Sequence, residues 1–291
     1  MSPPPRWKTP TVEHPGRISP AGLRWVRGAL RPLVGVLHRP TLHGLENLPT
    51  EGPFLLVANH SAAIALSEIG SIMALWVDQA GPDSPLAGFA HPLGFRIFPA
   101  SVILRSVGAV PSTYEGAADA LRRGVPLLVF PGGDHEAMRP VWKAHRVDFG
   151  GRVGFLRIAR EAGVPIVPLG IRGSHFTVPI LWRSRHLLPN VLILPRLLGI
   201  KRWPLTLVGA LGAVALLLGP SWSLAARALA IWAWLVLPFS ALPVVPATIR
   251  FRIGPALSPE ALFPAGDAGP MLAAALARVE AAVQAQVDAS R

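Results

Sequence analysis

The chain has 291 residues, of which 51% are hydrophobic and 15% are charged, and it carries a formal net charge of +12. It contains no cysteine, which excludes disulfides and thiolate metal sites, and it has no HExxH or similar spacing that would bind a metal. The positive charge favours an anionic partner, and the apolar composition with a single tyrosine favours a lipid surface over nucleic acid.

The N-terminal region contains two segments of different character. Residues 1–18 are rich in proline and polar side chains, so we expect them to be disordered, and they lack the apolar stretch of a secretory signal. Residues 19–40 have the pattern of an amphipathic interfacial helix, in which arginines alternate with apolar residues spaced three or four apart. The apolar stripe consists of Leu23, Val26, Leu30, Val34 and Leu37. The alternative is an ordinary helix that packs on the following domain.

Short apolar runs then alternate with helical patterns. The predicted strands are 54–58, 126–130 and 164–171, with a short apolar run at 109–110, and the predicted helices are 66–77, 115–123 and 153–162. Residues 247–253 alternate as a half-covered strand does, and the alanine-rich segment 270–287 predicts a helix. Strands that alternate with helices predict an α/β fold, a mostly parallel sheet flanked by helices.

Two long apolar runs interrupt this pattern. Residues 205–219 carry no charge, and residues 224–245 carry only Arg227. A helix over the first run is about 22 Å long, shorter than a hydrocarbon core of about 30 Å. We expect 204–246 to form a membrane-embedded helical hairpin, inserted into the α/β domain, that dips into the bilayer or just spans it as a transmembrane helix pair. The alternative is a large buried helical pair in a soluble core.

The charges around the hairpin give its orientation. The turn at 219–223 is uncharged, whereas basic residues flank the outer ends, which places both ends on the cytoplasmic side of the membrane. These flanking residues are Arg183, Arg185, Arg196, Lys201 and Arg202 before the hairpin, and Arg250 and Arg252 after it.

A histidine follows the first predicted strand of the alternating region. The run Leu55–Ala58 ends in Asn59, His60 and Ser61, so that His60 is delivered to the edge of a sheet. Histidine is the residue type that most often acts as a general base near neutral pH.

Four segments occur in a fixed order along the chain. They are GLENLP at 44–49 with FLLVANHS at 54–61, GAVPST at 108–113, VFPGGDHE at 129–136 and VPIVPLGI at 164–171. This order resembles the PlsC-type glycerolipid (1-acylglycerol-3-phosphate) acyltransferase family, and its diacylglycerol-acyltransferase-like subgroup most. The resemblance implies an acyltransferase domain at 41–200 and 247–291. It also implies acyl transfer from acyl-CoA or acyl-carrier protein to a lipid hydroxyl, with no resident cofactor.

The chain departs from the common family pattern at three places. The acid that usually follows the histidine by five residues is replaced by Ala65, and the nearest carboxylate is Glu68. The third segment reads FPGG rather than FPEG, and the second lacks the arginine that commonly holds an acceptor phosphate, although Arg105 lies just upstream. Lysophospholipids, neutral glycerides and other alcohols therefore all stay open as acceptors.

The resemblance assigns a role to each candidate residue. His60 would take the proton of the lipid hydroxyl, and Glu68 would orient its ring, with Asp134 or Glu136 as alternative acids. Backbone N–H groups around Gly132 and Gly133 would stabilise the oxyanion of the thioester. The candidates for substrate binding are Gly132, Gly133, Glu136, Arg139 and Arg105, with Arg139 favoured for a phosphate of the acceptor or of CoA.

The leading hypothesis is a membrane-bound O-acyltransferase that acts on a glycerolipid from the cytoplasmic face. Ala65 at the usual acid position motivates a different hypothesis, a catalytically inactive member that only binds lipid or membrane. A third hypothesis is a lipid esterase, in which water replaces the alcohol at the same base.

Overall fold

The computed structural model describes residues 12–63, 66–90, 92–197, 202–219, 221–265 and 268–291, and a β-sheet lies at its centre. The strands are β1 (Thr41–His43), β2 (Leu55–Ala58), β3 (Ala87–Ala90), β4 (Val110–Pro111), β5 (Leu127–Val129), β6 (Ile166–Arg172), β7 (Ile180–Ser184), β8 (Trp203–Thr206) and β9 (Arg250–Ile253). Among the described residues, seven strands form one sheet in the order β1-β9-β6-β2-β5-β3-β4, and β7 pairs with β8 in an antiparallel ribbon.

Helices surround this sheet. They are α1 (Pro20–Trp25), α2 (Arg31–His38), α3 (Leu66–Gln79), α4 (Ala100–Ser106), α5 (Tyr114–Arg122), α6 (Gly133–Ala137), α7 (Gly154–Ala162), α8 (Leu187–Leu192), α9 (Leu194–Leu197), α10 (Leu207–Leu218), α11 (Leu224–Val236), α12 (Pro259–Leu262) and α13 (Ala268–Asp288). A π-helical turn, Val26–Leu30, joins α1 to α2, and 3₁₀ turns lie at Leu45–Asn47, Pro92–Phe95, Val141–Lys143, Ser174–Phe176 and Pro238–Ala241.

The sheet is mostly parallel. Strands β2 to β6 run in one direction, whereas β9 is antiparallel to β6 and β1 runs with β9. The strands predicted at 54–58, 126–130, 164–171 and 247–253 are confirmed as β2, β5, β6 and β9. Because parallel strands end at the same edge of a sheet, the loops after β2, β4, β5 and β6 meet there, which is where ligands bind in such folds.

The hydrophobic core covers both faces of the sheet. Leu55 and Val57 of β2 face one cluster, which includes residues of α5, α7 and α13. Leu56 and Ala58 face the opposite cluster, which includes residues of α3. A strand buried on both faces reads as a continuous apolar run, and this explains why β2 shows no alternation in the sequence.

The segment before α1 corrects the prediction of disorder over 1–18. Residues 1–11 lie outside the described residues, but residues 12–18 are placed against the sheet. The Gly16 N–H donates to the Gly108 carbonyl at 2.8 Å, and the Leu86 N–H donates to the Gly16 carbonyl at 3.2 Å. Composition predicted disorder wrongly here because these backbone partners lie some 70 to 90 positions away in the sequence.

The helix predicted over 19–40 is confirmed as the run from α1 to α2. Its apolar stripe, however, faces the protein: Val26 and Val34 are buried, and a Cβ at Gly70 of α3 would lie 3.0 Å from Leu30. The stripe therefore packs on the domain, as the alternative interpretation expects, because α3 has an apolar surface to cover. Trp25, Leu33 and Val36 form the exposed apolar part of this helix.

The two apolar runs form a pair of packed helices, α10 and α11. The Thr206 side chain caps α10 by accepting from the Gly209 N–H at 2.8 Å, and Trp234 Nε1 of α11 donates to the Gly209 carbonyl at 3.0 Å. Helix α11 ends at Val236, well before residue 245, because Pro238 cannot continue a helix.

The hairpin exposes many apolar side chains. They include Leu211, Val214, Leu217, Leu218, Leu224, Leu229 and Trp232. Within the described ranges, no helix is both long enough and apolar enough to cross a membrane, so the predicted transmembrane helix is not supported.

Candidate active site

Asn59 fastens the end of β2 to the neighbouring strand β6. Its side-chain amide donates from Nδ2 to the Ile171 carbonyl at 2.8 Å, and its Oδ1 accepts from the Ile171 N–H at 2.7 Å. Both bonds are buried, so the backbone that carries His60 is fixed where the strands end.

His60 and Glu68 form a hydrogen-bonded pair. His60 Nδ1 lies 2.7 Å from Glu68 Oε2, in the first turn of α3, and Glu68 is fully buried. The His60 ring also lies against Phe130, with ring centroids 4.6 Å apart. With Nδ1 donating to a carboxylate, the neutral ring keeps Nε2 as the proton acceptor, which is the arrangement of a general base with an orienting acid. Ala65 lies outside the described residues.

Glu136 does not contact the His60 ring. Its Oε2 accepts from the His60 backbone N–H at 3.1 Å, and its Oε1 accepts from the Asp148 N–H at 2.9 Å. Burial raises the pKa of Glu136 to about 8, opposed by these two hydrogen bonds and by nearby Arg139. Glu136 thus joins two loops inside the protein, and its predicted roles in substrate binding or as the acid are not supported.

The side chains of Glu136 and Arg152 pack closely against the glycine turn between β5 and α6. A Cβ at Gly132 would overlap the Glu136 side chain, and a Cβ at Gly133 would lie 2.6 Å from Arg152 Nη1. The Gly133 N–H donates to the Phe130 carbonyl at 3.1 Å, so it is engaged within the turn. Of the two predicted oxyanion donors, the Gly132 N–H therefore remains the candidate.

Asp134 is the third carboxylate near the turn, and two arginines hold it. Arg152 donates to Asp134 at 2.5 Å and to the Gly132 carbonyl at 2.6 Å, and Arg202 donates to Asp134 at 2.6 Å. Arg183 donates to the His135 carbonyl. In the sequence, Arg183 and Arg202 are recognisable only as basic residues that flank the hairpin. The ribbon of β7 and β8 was not predicted, and it brings both arginines to the glycine turn.

Arg139 is bonded within the protein, and Arg105 lies in a separate helix. Arg139 is only 4% exposed; it donates to the carbonyls of Arg146 and Asp148, and its guanidinium lies 3.6 Å from Glu136. The predicted phosphate contact of Arg139 is therefore not supported. Arg105 lies in the last turn of α4, and its guanidinium lies 5.9 Å from the centroid of the Phe95 ring. Its contact with substrate stays a prediction.

A cavity of about 250 Å³ opens beside the glycine turn. It is lined by Phe89, Ser112, Thr113, Tyr114, Val129, Phe130, Pro131, Arg152, Gly154, Phe155 and Ile158. Most of these side chains are apolar, and Phe130 contacts both the cavity and the His60 ring. Phe130 thus lies between the His60 ring and this largely apolar cavity.

Comparison with known proteins agrees with this geometry. The family described as Acyltransferase matches residues 39–172. The phytyl ester synthase 2 of Arabidopsis thaliana chloroplasts is 30% identical over 142 residues, which are 46% of this chain and 19% of that protein. The "DGAT1/2-independent enzyme synthesizing storage lipids" of Bos taurus is 28% identical over 134 residues, 46% of this chain and 39% of that protein. The chain thus spans well under half the length of these two relatives.

A solved structure has the same fold. The crystal structure of the 1-acyl-sn-glycerophosphate acyltransferase PlsC from Thermotoga maritima superimposes with a TM-score of 0.51 at 18% identity. The match covers 90% of this chain and 78% of that one. Residues 39–172 thus match the Acyltransferase family model, and the chain shares the fold of the PlsC structure.

Proposed function

We propose that this protein is a membrane-bound O-acyltransferase that transfers an acyl chain from a thioester to a lipid hydroxyl, with His60 as the general base. The thioester donor is acyl-CoA or acyl-carrier protein. The observation that carries the proposal is the 2.7 Å contact between His60 Nδ1 and Glu68, beside an apolar cavity at the carboxyl edge of the sheet.

The geometry supports a direct transfer. Nε2 of His60 takes the proton of the lipid hydroxyl while the hydroxyl oxygen attacks the thioester carbonyl carbon. Glu68 stabilises the imidazolium that forms, and the Gly132 N–H donates to the oxyanion of the tetrahedral intermediate. The carbon–sulfur bond then breaks, the thiolate leaves with the proton from His60, and the ester remains on the lipid.

We infer further that the acceptor carries no phosphate. Among the described residues that line the cavity, the cation is Arg152, and its guanidinium is already bonded to the Gly132 carbonyl and to Asp134. Arg and Lys side chains that are free to turn to the ligand are the favoured phosphate donors. A glyceride or another lipid alcohol fits better, and the names of the phytyl ester and storage-lipid relatives agree with such an acceptor.

The exposed apolar side chains of α10 and α11 support binding to a membrane, where a lipid acceptor is dissolved. The net charge of +12 supports attraction to an anionic surface. The uncharged turn of the hairpin and its basic flanks support a position of the domain on the cytoplasmic face.

The experiment that tests the function is acyl transfer by the purified protein. Labelled acyl-CoA or acyl-carrier protein is offered with lysophosphatidate, monoacylglycerol, diacylglycerol or a long-chain alcohol. We expect transfer to a neutral acceptor, and His60→Ala is expected to lower kcat by about a thousandfold. His43→Ala, which changes an exposed histidine of β1, serves as the matched control.

The outcomes separate the parts of the proposal. Undiminished turnover by a folded His60→Ala variant would overturn the mechanism. A preference for lysophosphatidate would overturn the neutral acceptor, and release of free fatty acid at the same rate with and without acceptor would point to the esterase instead.

A further inference from the structure

Glu68 is a carboxylate that the fold removes completely from water. It is 0% exposed, and its ion-pair partner among the described residues is His60. A buried carboxylate is costly unless hydrogen-bond donors replace the lost water. His60 Nδ1 supplies one donor at 2.7 Å, and Ser61 supplies two more, its backbone N–H at 3.2 Å and its hydroxyl at 2.6 Å.

The Ser61 hydroxyl is itself held by a second hydroxyl. Ser61 Oγ contacts Ser174 Oγ, and both serines are 0% exposed. An ionised carboxylate only accepts, so the proton of Ser61 points to Glu68. Ser174 must then donate to Ser61. The three side chains form a one-way chain from Ser174 through Ser61 to Glu68 Oε1, in which each bond polarises the next.

The backbone around Ser174 is fixed independently of this chain. Gly173 has φ +95°, and a Cβ there would overlap the Thr248 carbonyl, so the corner after β6 requires glycine. Thr177 Oγ1 donates to the Ser174 carbonyl at 2.8 Å and lies 3.0 Å from Ser67 Oγ on α3. The corner thus holds Ser174 in place and contacts the helical turn that carries Glu68.

We propose that Ser174 is a positioning residue for acyl transfer, which acts through Ser61 to hold Glu68. With Oε1 bound to the Ser61 hydroxyl, the carboxylate plane is fixed and Oε2 stays on His60 Nδ1. Without Ser174, the Ser61 hydroxyl loses the hydrogen bond that it accepts, and its own bond to Glu68 is weakened. Glu68 then gains rotational freedom in a site where small misplacements slow the reaction. This inference rests on the proposed function of His60 and Glu68.

The test is a set of serine variants assayed for acyl transfer. We expect Ser174→Ala to lower kcat by about tenfold with KM values for donor and acceptor unchanged, because the group acts on the base and touches no substrate. In a Glu68→Gln background, we expect Ser174→Ala to have no further effect on kcat. The hydrogen-bonded chain of Ser174 and Ser61 then has no carboxylate to hold. Ser174→Thr retains the hydroxyl and is expected to restore part of the rate.

Ser71→Ala is the matched control. Ser71 lies on α3 one turn after Glu68, is 0% exposed, and its hydroxyl has no hydrogen-bond partner among the described residues. Ser71→Ala removes a buried hydroxyl from the helix that carries Glu68 but leaves the Ser174–Ser61–Glu68 hydrogen bonds intact. Its kcat is therefore expected to stay within about twofold of the wild-type value.

Two results would overturn the inference. One is a wild-type kcat in a folded Ser174→Ala variant, and the other is an equal loss of kcat in the wild-type and Glu68→Gln backgrounds. The same double-variant cycle measured as melting temperature needs no activity. If the wild-type protein transfers no acyl group, the proposed function fails. If the effects of Ser174→Ala and Glu68→Gln on the melting temperature were then not additive, the hydrogen-bonded chain from Ser174 to Glu68 would still be supported. Additive effects would refute it.

Discussion

Glu68 reaches His60 because the backbone reverses between them. Ala62 and Ala63 adopt left-handed conformations, with φ of 61° and 54°, and this reversal lets the first turn of α3 return to the histidine. Such conformations are uncommon for residues other than glycine and concentrate at functional sites. The spacing of eight residues therefore places an acid on His60 Nδ1, although the common family pattern has the acid five residues after the histidine.

Mutations of the two carboxylates Glu68 and Glu136 are expected to have different consequences. Glu68→Gln is expected to lower kcat by about a hundredfold or more, because the ring loses the acid that stabilises its charged form. Glu136→Gln is expected to change the melting temperature more than kcat, since Glu136 accepts from two backbone N–H groups and does not touch the ring. Kinetics and thermal unfolding of both variants provide the measurement. If neither variant lowers kcat by about tenfold, the pair is not the catalytic device.

At the scale of elements, the glycine turn and the ribbon of β7 and β8 form one unit. The turn would otherwise leave Asp134 and two carbonyls partly buried, and the arginines of the ribbon and of the loop before α7 bind them. The basic residues beside the hairpin thus serve the site as well as any lipid surface. The helical hairpin leaves the ribbon through Thr206, so a membrane-bound hairpin would hold the site close to the lipid.

The proposed membrane role of the hairpin predicts an effect of charged substitutions on lipid binding. The double variant Leu211→Glu and Leu218→Glu places two charges on the exposed apolar surface and is expected to lower co-sedimentation with anionic lipid vesicles by about tenfold or more. The matched control is Ala274→Glu with Ala281→Glu, which adds the same charge to exposed positions of α13. Equal binding by the hairpin and control variants would contradict a membrane role for the hairpin.

At the scale of the whole molecule, α13 covers part of one face of the sheet. It lies across β6 so closely that a Cβ at Gly170 would overlap the backbone of Val287. Its buried residues Val279 and Val283 belong to the same core as Leu55 and Leu127. The last helix therefore completes one face of the domain, although the hairpin separates it in sequence from most of the sheet.

This close approach predicts a strong effect of a single methyl group. Gly170→Ala is expected to lower the free energy of unfolding by about 1–3 kcal/mol, because the helix must move away from the strand. Gly35→Ala on α2 is the control, since a Cβ there meets nothing within 4 Å and alanine favours a helix. Denaturant unfolding of both variants tests this, and an unchanged midpoint for Gly170→Ala would show that α13 does not dock in this way.

The sequence predicted the strands that are buried on both faces well and the less buried strands poorly. β2, β5 and β6 are buried on both faces and read as apolar runs, so they were located to within about two residues. β1 is buried only at Leu42, and β3 reads Ala-Gly-Phe-Ala, so neither carries a clear pattern of its own. Pairing with neighbouring strands makes these segments extended, and pairing is a property of the folded chain.

The amino-acid sequence by itself determined the strands β2, β5 and β6, the acyltransferase segments and the nearness of Glu68 to His60, because each is recognised from residues close together in the chain. Only the tertiary structure decided which charged side chains already have partners within the protein. Arg139 and Arg152 look like free cations in the sequence, and their partners come from loops that the fold brings to them. Ser61 and Ser174 are 113 positions apart, and they meet because β2 and β6 are neighbours in the sheet.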